Sequence, residues 1–262
     1  MQNVSVQNVS AQDVSAMAVN TIAPLHNVAA FAELVDRVLN RTRGLPGMAT
    51  FHGFSGYGKS FAAIYAANRH RAYHVQVKSV WTRKKLCQSI LLEMGIEAAK
   101  TIPDMVDQIG QQLSLSDRPL IVDEADFLVT NGMIEVIRDI YESSQSAILL
   151  VGEEGLPTAL KRWERVHGRM LDWVPALPAS LADARHLARL YCPGIEVADD
   201  LLIPLHEAAR GSVRRICVSL DRVREAFDTG TLSASDGGAR MTRASFTGEF
   251  FTGAAPGVRR AA

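Results

Sequence analysis

The sequence predicts an α/β fold, a parallel β-sheet flanked by helices and followed by a small C-terminal helical lid. Three observations predict it. Residues 53–60, Gly-Phe-Ser-Gly-Tyr-Gly-Lys-Ser, complete the pattern G-x-x-x-x-G-K-[ST] between an apolar stretch and an alanine-rich run. Apolar strand-like runs alternate with helical patterns through the middle of the chain, the order that builds a parallel sheet covered on both faces. One of those runs, Leu120-Ile121-Val122, ends in two adjacent acids, Asp123 and Glu124.

The elements follow in order. Residues 1–26 are polar, almost uncharged and repetitive (Gln2-Asn3-Val4-Ser5, Gln7-Asn8-Val9-Ser10, Gln12-Asp13-Val14-Ser15), a period that suits neither helix nor strand, and are expected to be a flexible tail. Phe31, Leu34, Val35, Val38 and Leu39 space an amphipathic helix over 27–43. Residues 48–52 read as a strand entering the glycine-rich loop. Phe61, Ile64 and Tyr65 give the next helix an apolar face. Strands are expected at 73–77, 120–122, 148–151 and 170–174, with helices at 83–94, 105–113 and 133–141 between them. After about residue 178 the strand patterns stop and three helical segments follow, over 181–191, 199–209 and 213–227. The chain thus divides into a tail (1–26), an α/β core (27–178), a helical lid (179–229) and a loose C-terminal tail (230–262).

Composition narrows the function classes. The 262 residues carry 28 basic and 28 acidic side chains, so no global field recruits a polyanion and any nucleic-acid contact must come from a local patch. Cys87, Cys192 and Cys217 are scattered without C-x-x-C spacing, which argues against a zinc site or disulfide framework and fits a reducing cytoplasm. No apolar run has the length of a membrane span, and the N-terminus lacks a signal-peptide pattern. A soluble, cytoplasmic protein without a membrane partner is expected.

The loop motif carries the chemistry of phosphate binding. Glycines let successive backbone N–H groups turn toward phosphate oxygens, and the helix beginning at Lys59 adds its positive end. The candidate nucleotide contacts are Gly53, Ser55, Gly56, Tyr57, Gly58, Lys59, Ser60 and Phe61. Lys59 would bridge the β- and γ-phosphates of ATP, and the Ser60 hydroxyl would reach Mg2+. Asp123 would hold the Mg2+ shell, and Glu124 would polarise a water for attack on the γ-phosphate. Two carboxylates at the end of a buried strand are costly unless a metal and a water use them. A dinucleotide fingerprint fails, because Phe61 stands where G-x-G-x-x-G needs its third glycine.

With these motifs in place the chain resembles the AAA+ ATPases of DNA transposition, most closely the branch of transposition protein B of Mu-like phages. The resemblance rests on residues 53–60 and 120–124, on Val151-Gly152-Glu153-Glu154-Gly155-Leu156-Pro157, on the segment around Arg169, and on Gly211-Ser212-Val213-Arg214-Arg215, which looks like the sensor 2 motif. It implies a P-loop NTPase (AAA+) fold and an ATP-dependent protein that binds double-stranded DNA without sequence preference. It further implies a homo-oligomer or helical filament on target DNA that activates a transposase. Arg214 would reach the γ-phosphate of its own subunit. Arg169 would act in trans on a neighbour's ATP, with Arg165 as the competing candidate.

Two departures stand out. The tail before Asn27 is too short and repetitive for a helix-turn-helix domain, and Glu153 or Glu154 occupies the sensor 1 region where relatives place Asn, Ser or Thr, so that role stays open. Lys78, Thr82, Arg83, Lys84 and Lys85 form a basic segment without acids; in the resembling proteins this region follows the DNA backbone. A solvated helix start is the alternative reading of this patch. Helicase loaders and initiator-type ATPases share the same motifs, and a nucleotide-gated scaffold with little turnover is the non-enzymatic alternative.

Overall fold

The computed structural model describes residues 25–229 and 239–254. The chain opens on α1 (His26–Leu39), which buries Val28, Phe31, Leu34, Val35 and Val38, the stripe its spacing predicts. Strand β1 (Met48–His52) follows and runs through the glycine-rich loop into α2 (Lys59–His70). Next come β2 (Tyr73–Gln76), α3 (Arg83–Glu93), α4 (Ile102–Ser116) and β3 (Leu120–Asp123). The core continues with α5 (Asp126–Thr130), α6 (Ile134–Ser144), β4 (Ile148–Gly152), α7 (Leu156–Leu160), α8 (Glu164–His167) and β5 (Met170–Pro175). Helix α4 extends past both expected ends, because Thr101 caps its first turn and Pro103 sits where a missing N–H costs nothing.

The five strands form one sheet in the order β2-β3-β4-β1-β5, all parallel. Alternate residues leave opposite faces, which splits the core in two. Ile121, Leu149, Val151, Ala49 and Phe51 pack toward α1, α2 and the lid. Leu120, Val122, Ile148, Leu150 and Met48 pack toward α3, α4 and α6. Because the strands are parallel, their carboxyl ends share one edge, where open α/β sheets bind ligands.

One helix face differs from expectation. Phe61 and Ile64 are 57% and 45% exposed, while Ala62, Ala63 and Ala66 are fully buried. The small side chains face the sheet and let the helix backbone lie close to it, leaving the large ones outward.

The lid comprises α9 (Leu181–Tyr191), α10 (Asp199–Ala209) and α11 (Val213–Asp228). Ser180 and Asp183 form a capping box at the start of α9, and Asp183 also accepts from the His26 backbone N–H at 2.9 Å, tying the lid to α1. The expectation that strands end near residue 178 is corrected. Ile195–Val197 (β6) and Ala239–Met241 (β7) pair in parallel as a second small sheet. Each strand is three residues long, too short to show an alternating pattern. The C-terminal stretch, expected to be loose from residue 230, is also corrected where it is described: Met241 and Phe246 enter the core, and the Phe251 N–H bonds Ser219 Oγ at 3.0 Å. The repetitive segment 1–24 and residues 230–238 lie outside the described residues. Among the described residues, no helix is long and apolar enough to cross a membrane.

Candidate nucleotide-binding site

The loop after β1 is held from three sides. The Gly53 N–H bonds the Gly152 carbonyl at the end of β4 at 3.2 Å. Gly56 and Gly58 have φ of 88° and 84°, a region that side chains resist. A Cβ on Gly56 would lie 2.5 Å from Ser212 Oγ of the lid, so both conformation and close approach require glycine there. The Arg214 N–H reaches the Gly56 carbonyl at 3.3 Å, and Val213 packs over Gly58. From the remaining side, the buried Asn27 donates to the carbonyls of Tyr57 (2.9 Å) and Leu177 (2.7 Å) and accepts from the Leu177 N–H (2.9 Å).

These groups frame a cavity of about 470 Å³. Ser55, Gly56, Gly58, Lys59, Ser60 and Phe61 line one wall, as their sequence pattern leads one to expect. Asp123, Glu124, Gly152 and Glu153 line the second, and Tyr191, Val213, Arg214, Cys217 and Asp221 of the lid form the third. The cavity brings together Lys59, Ser60, Asp123, Glu124 and Arg214, which lie far apart in the sequence. Gly53 and Tyr57 stand behind it: the Gly53 carbonyl accepts from Lys59 Nζ at 2.5 Å, and the Tyr57 ring meets Phe54 edge-on.

Burial and charge set the electrostatics. Burial lowers the Lys59 pKa, opposed by Glu124, Glu153, Asp123 and Asp126, which favour its charged form. The Glu124 pKa is raised, first by burial and then by Asp123 and Asp126. Glu124 also holds a left-handed φ of 56°, and its N–H bonds Asp123 Oδ1 at 2.9 Å. Of the five non-glycine residues in that conformation among the described residues, Glu124 is the one that does not close a helix. At the lid end, hydrogen bonding to Cys217, and then burial, push Tyr191 up to about 12, so its hydroxyl stays neutral. Burial raises the Cys217 thiol as well.

The donor set fits Mg2+. That ion keeps several waters and takes few protein ligands beside phosphate oxygens. Ser60 and Asp123 line the same cavity and would hold the ion, with one Asp123 oxygen accepting from the Glu124 N–H. No group of three or more His, Cys, Asp or Glu forms an all-protein metal site among the described residues.

Arg169 and Arg165 do not line the cavity. Arg169 pairs through Nε with Glu142 of the same chain and is 44% exposed; Arg165 lies exposed on α8. The basic segment follows β2 at the same sheet edge as the loop. Lys78, Lys84 and Lys85 are exposed and form no ion pair among the described residues. Thr82 Oγ1 accepts from the Lys85 N–H at 3.3 Å, capping α3, and Arg83 donates to the Gly132 carbonyl at 3.1 Å. Trp81 is half-buried against the core, while Val80 stands 83% exposed.

Sequence reasoning missed three parts of the site. Asn27 is the one polar position on the buried stripe of α1, a signal that was readable. Tyr191, Cys217 and Asp221 come from the lid; Cys217 and Asp221 continue the face of α11 that carries Arg214. Asp126 follows Asp123 and Glu124 in the same acidic run, and its carboxylate accepts from the Glu153 N–H at 2.8 Å.

Comparison with known proteins agrees with this architecture. Residues 42–160 match a family model described as an AAA domain. No curated protein sequence matches the chain. Among solved structures it is similar to Cdc6p from Pyrobaculum aerophilum, with 15% identity and a TM-score of 0.58 over 80% of this chain and 64% of that one. It is also similar to domain III of the replication initiation protein DnaA from Thermotoga maritima (12% identity, TM-score 0.53, 82% of this chain and 89% of that one). A third is the Aeropyrum pernix ORC1 protein in complex with DNA (18% identity, TM-score 0.56, 80% and 62%). The chain therefore spans less than two thirds of the length of Cdc6p and ORC1. The five-stranded parallel sheet, its loop and its helical C-terminal portion are the P-loop AAA+ fold.

Proposed function

We propose that the protein is an ATP-hydrolysing AAA+ enzyme that binds duplex DNA without sequence preference, assembles on it as an oligomer, and activates or targets a transposase. The observation that carries the enzymatic part is the single cavity walled by Lys59 and Ser60, by Asp123 and Glu124, and by Arg214 of the lid. In this reading the loop N–H groups and Lys59 bind the β- and γ-phosphates. Glu124 accepts a proton from the water that attacks the γ-phosphorus; the bond to the bridging oxygen breaks and ADP leaves with that electron pair. Ser60 and Asp123 would hold Mg2+, which would neutralise charge on the phosphate oxygens when bound. Arg214 links the lid to the nucleotide, because its own N–H already bonds the loop at Gly56.

DNA contact is assigned to Lys78, Thr82, Arg83, Lys84 and Lys85, exposed at the same edge as the cavity. Arg169 is assigned to a neighbour's site, which makes the active species an oligomer. A second reading, an initiator or helicase-loader ATPase, is favoured by the likeness to Cdc6p, DnaA and ORC1, the last of them solved with DNA. Steady-state ATP hydrolysis with and without random-sequence duplex tests the enzyme. Turnover stimulated by DNA and abolished in Glu124→Gln supports it; no turnover leaves only a nucleotide-gated scaffold. Co-purification with a transposase rather than a replicative helicase separates the two DNA readings.

A further inference from the structure

The acidic run that ends β3 contains a third carboxylate with its own geometry. Asp126 opens α5, and its Oδ2 accepts from the Glu153 N–H at 2.8 Å, just beyond the end of β4. Gly152 leaves room for that approach: a Cβ there would lie 2.5 Å from Asp126 Oδ2 and 2.7 Å from Leu156 Cδ2. The same few residues are tied elsewhere. The Ala125 N–H bonds the Val151 carbonyl at 2.9 Å, and the Gly152 carbonyl accepts from Gly53 at 3.2 Å. The segment 151–153 is therefore stitched to the phosphate loop on one side and to the segment bearing Glu124 on the other. Glu153 and Gly152 line the cavity, whereas Asp126 stands behind them.

We infer that Asp126 is a positioning residue: it locks the loop after β4 against the loop after β3, fixing Glu153 and Glu124 relative to each other across the phosphate end of the cavity. The inference rests on the proposed ATP hydrolysis and adds to it a residue that touches neither nucleotide nor water. Nucleotide affinity comes mainly from the loop N–H groups and Lys59; Asp126 makes no hydrogen bond to either and reaches Lys59 only through its charge, as one of four carboxylates that do so. Its loss therefore acts on turnover. Misplacing a reacting geometry by about 1 Å can cost about 100-fold.

Three variants test this: Asp126→Ala removes the acceptor, Asp126→Asn keeps an amide oxygen to accept from Glu153, and Gly152→Ala drives a methyl into the carboxylate. Turnover and MgADP affinity are measured on the full chain, with thermal melting of each variant as the check on folding. Asp126→Ala and Gly152→Ala are expected to lower kcat by about 10–100-fold with MgADP affinity within about threefold of the parent, and Asp126→Asn to recover most of the rate. The inference is overturned if Asp126→Ala keeps the parental kcat, or if Asp126→Asn fails as badly as Asp126→Ala. It is equally overturned if kcat, affinity and melting temperature fall together, since a merely structural role would do that. If Asp126→Ala does not fold, the contrast between Gly152→Ala and Asp126→Asn decides. Parental turnover absent from the outset would sink the ATPase reading itself, an outcome distinct from any of these.

Discussion

In the proposed mechanism, hydrolysis turns on Glu124. Removing a general base costs about 10²–10⁴-fold, so Glu124→Gln is expected to bind ATP and lose turnover by that order, measured as phosphate release. Wild-type rates in the variant would remove Glu124 from the mechanism. Asn27 is a different kind of residue, contributing order rather than chemistry. All three of its hydrogen bonds go to backbone groups of the loop and of the segment after β5. Asn27→Ala leaves those part-buried groups without their partner, at a cost of about 1 kcal/mol, read as a lowered urea midpoint. Two histidines give a pH signature. Burial, with Lys59 nearby, lowers His52, and burial outweighs Asp36 in lowering His70; both fall below the ordinary histidine value of 6.5. Below pH 6.5 the unfolded chain binds more protons at these sites than the folded one, so their contribution is complete above that value. It is lost as pH falls through the folded values. Denaturation midpoints should drop on acidification from about pH 7 to about pH 5, and less so in His70→Gln. Equal slopes for parent and variant would contradict the assignment.

At the scale of elements, the proposed function gives the basic start of α3 and the lid helix α11 separate roles. Lys84→Ala combined with Lys85→Ala is expected to weaken binding on every duplex sequence alike. Every phosphate that is no longer neutralised should flatten the log–log salt dependence by about 0.9, measured by anisotropy over a salt series. Affinity unchanged at all salts would move the DNA surface elsewhere. The elements also show what was legible in the sequence. The phosphate loop and the acid pair were readable because each motif is contiguous and each sits at the end of an apolar run. Strands β1, β3 and β4 were readable because both their faces are buried. The buried face of α2 was misread, since alanines rather than Phe61 and Ile64 meet the sheet, and close packing of small side chains leaves no large apolar stripe. The pairing of β6 with β7 was not readable at all: two three-residue strands distant in sequence carry no local pattern. The Asp126–Glu153 bond was hidden for the same reason, as it joins loops that only the sheet order brings together.

At the scale of the whole molecule, one continuous apolar cluster runs from α1 across the sheet into the lid. Ser212, Val213 and Arg214 meet the phosphate loop directly, so a ligand entering the cavity touches core and lid at once. Arg169 points to a further level. If it serves a neighbouring subunit, Lys59→Ala and Arg169→Ala variants, each inactive alone, should recover part of the turnover when mixed. A mixture as silent as its components would confine each active site to one chain.

In the proposed function, nucleotide state controls assembly on DNA. Fluorescence anisotropy of a labelled random-sequence duplex, titrated with protein in ATP, in ADP and without nucleotide, tests it most directly. Cooperative binding with ATP and weak binding in the other two conditions are expected. Binding indifferent to nucleotide, or no binding in any condition, would contradict it.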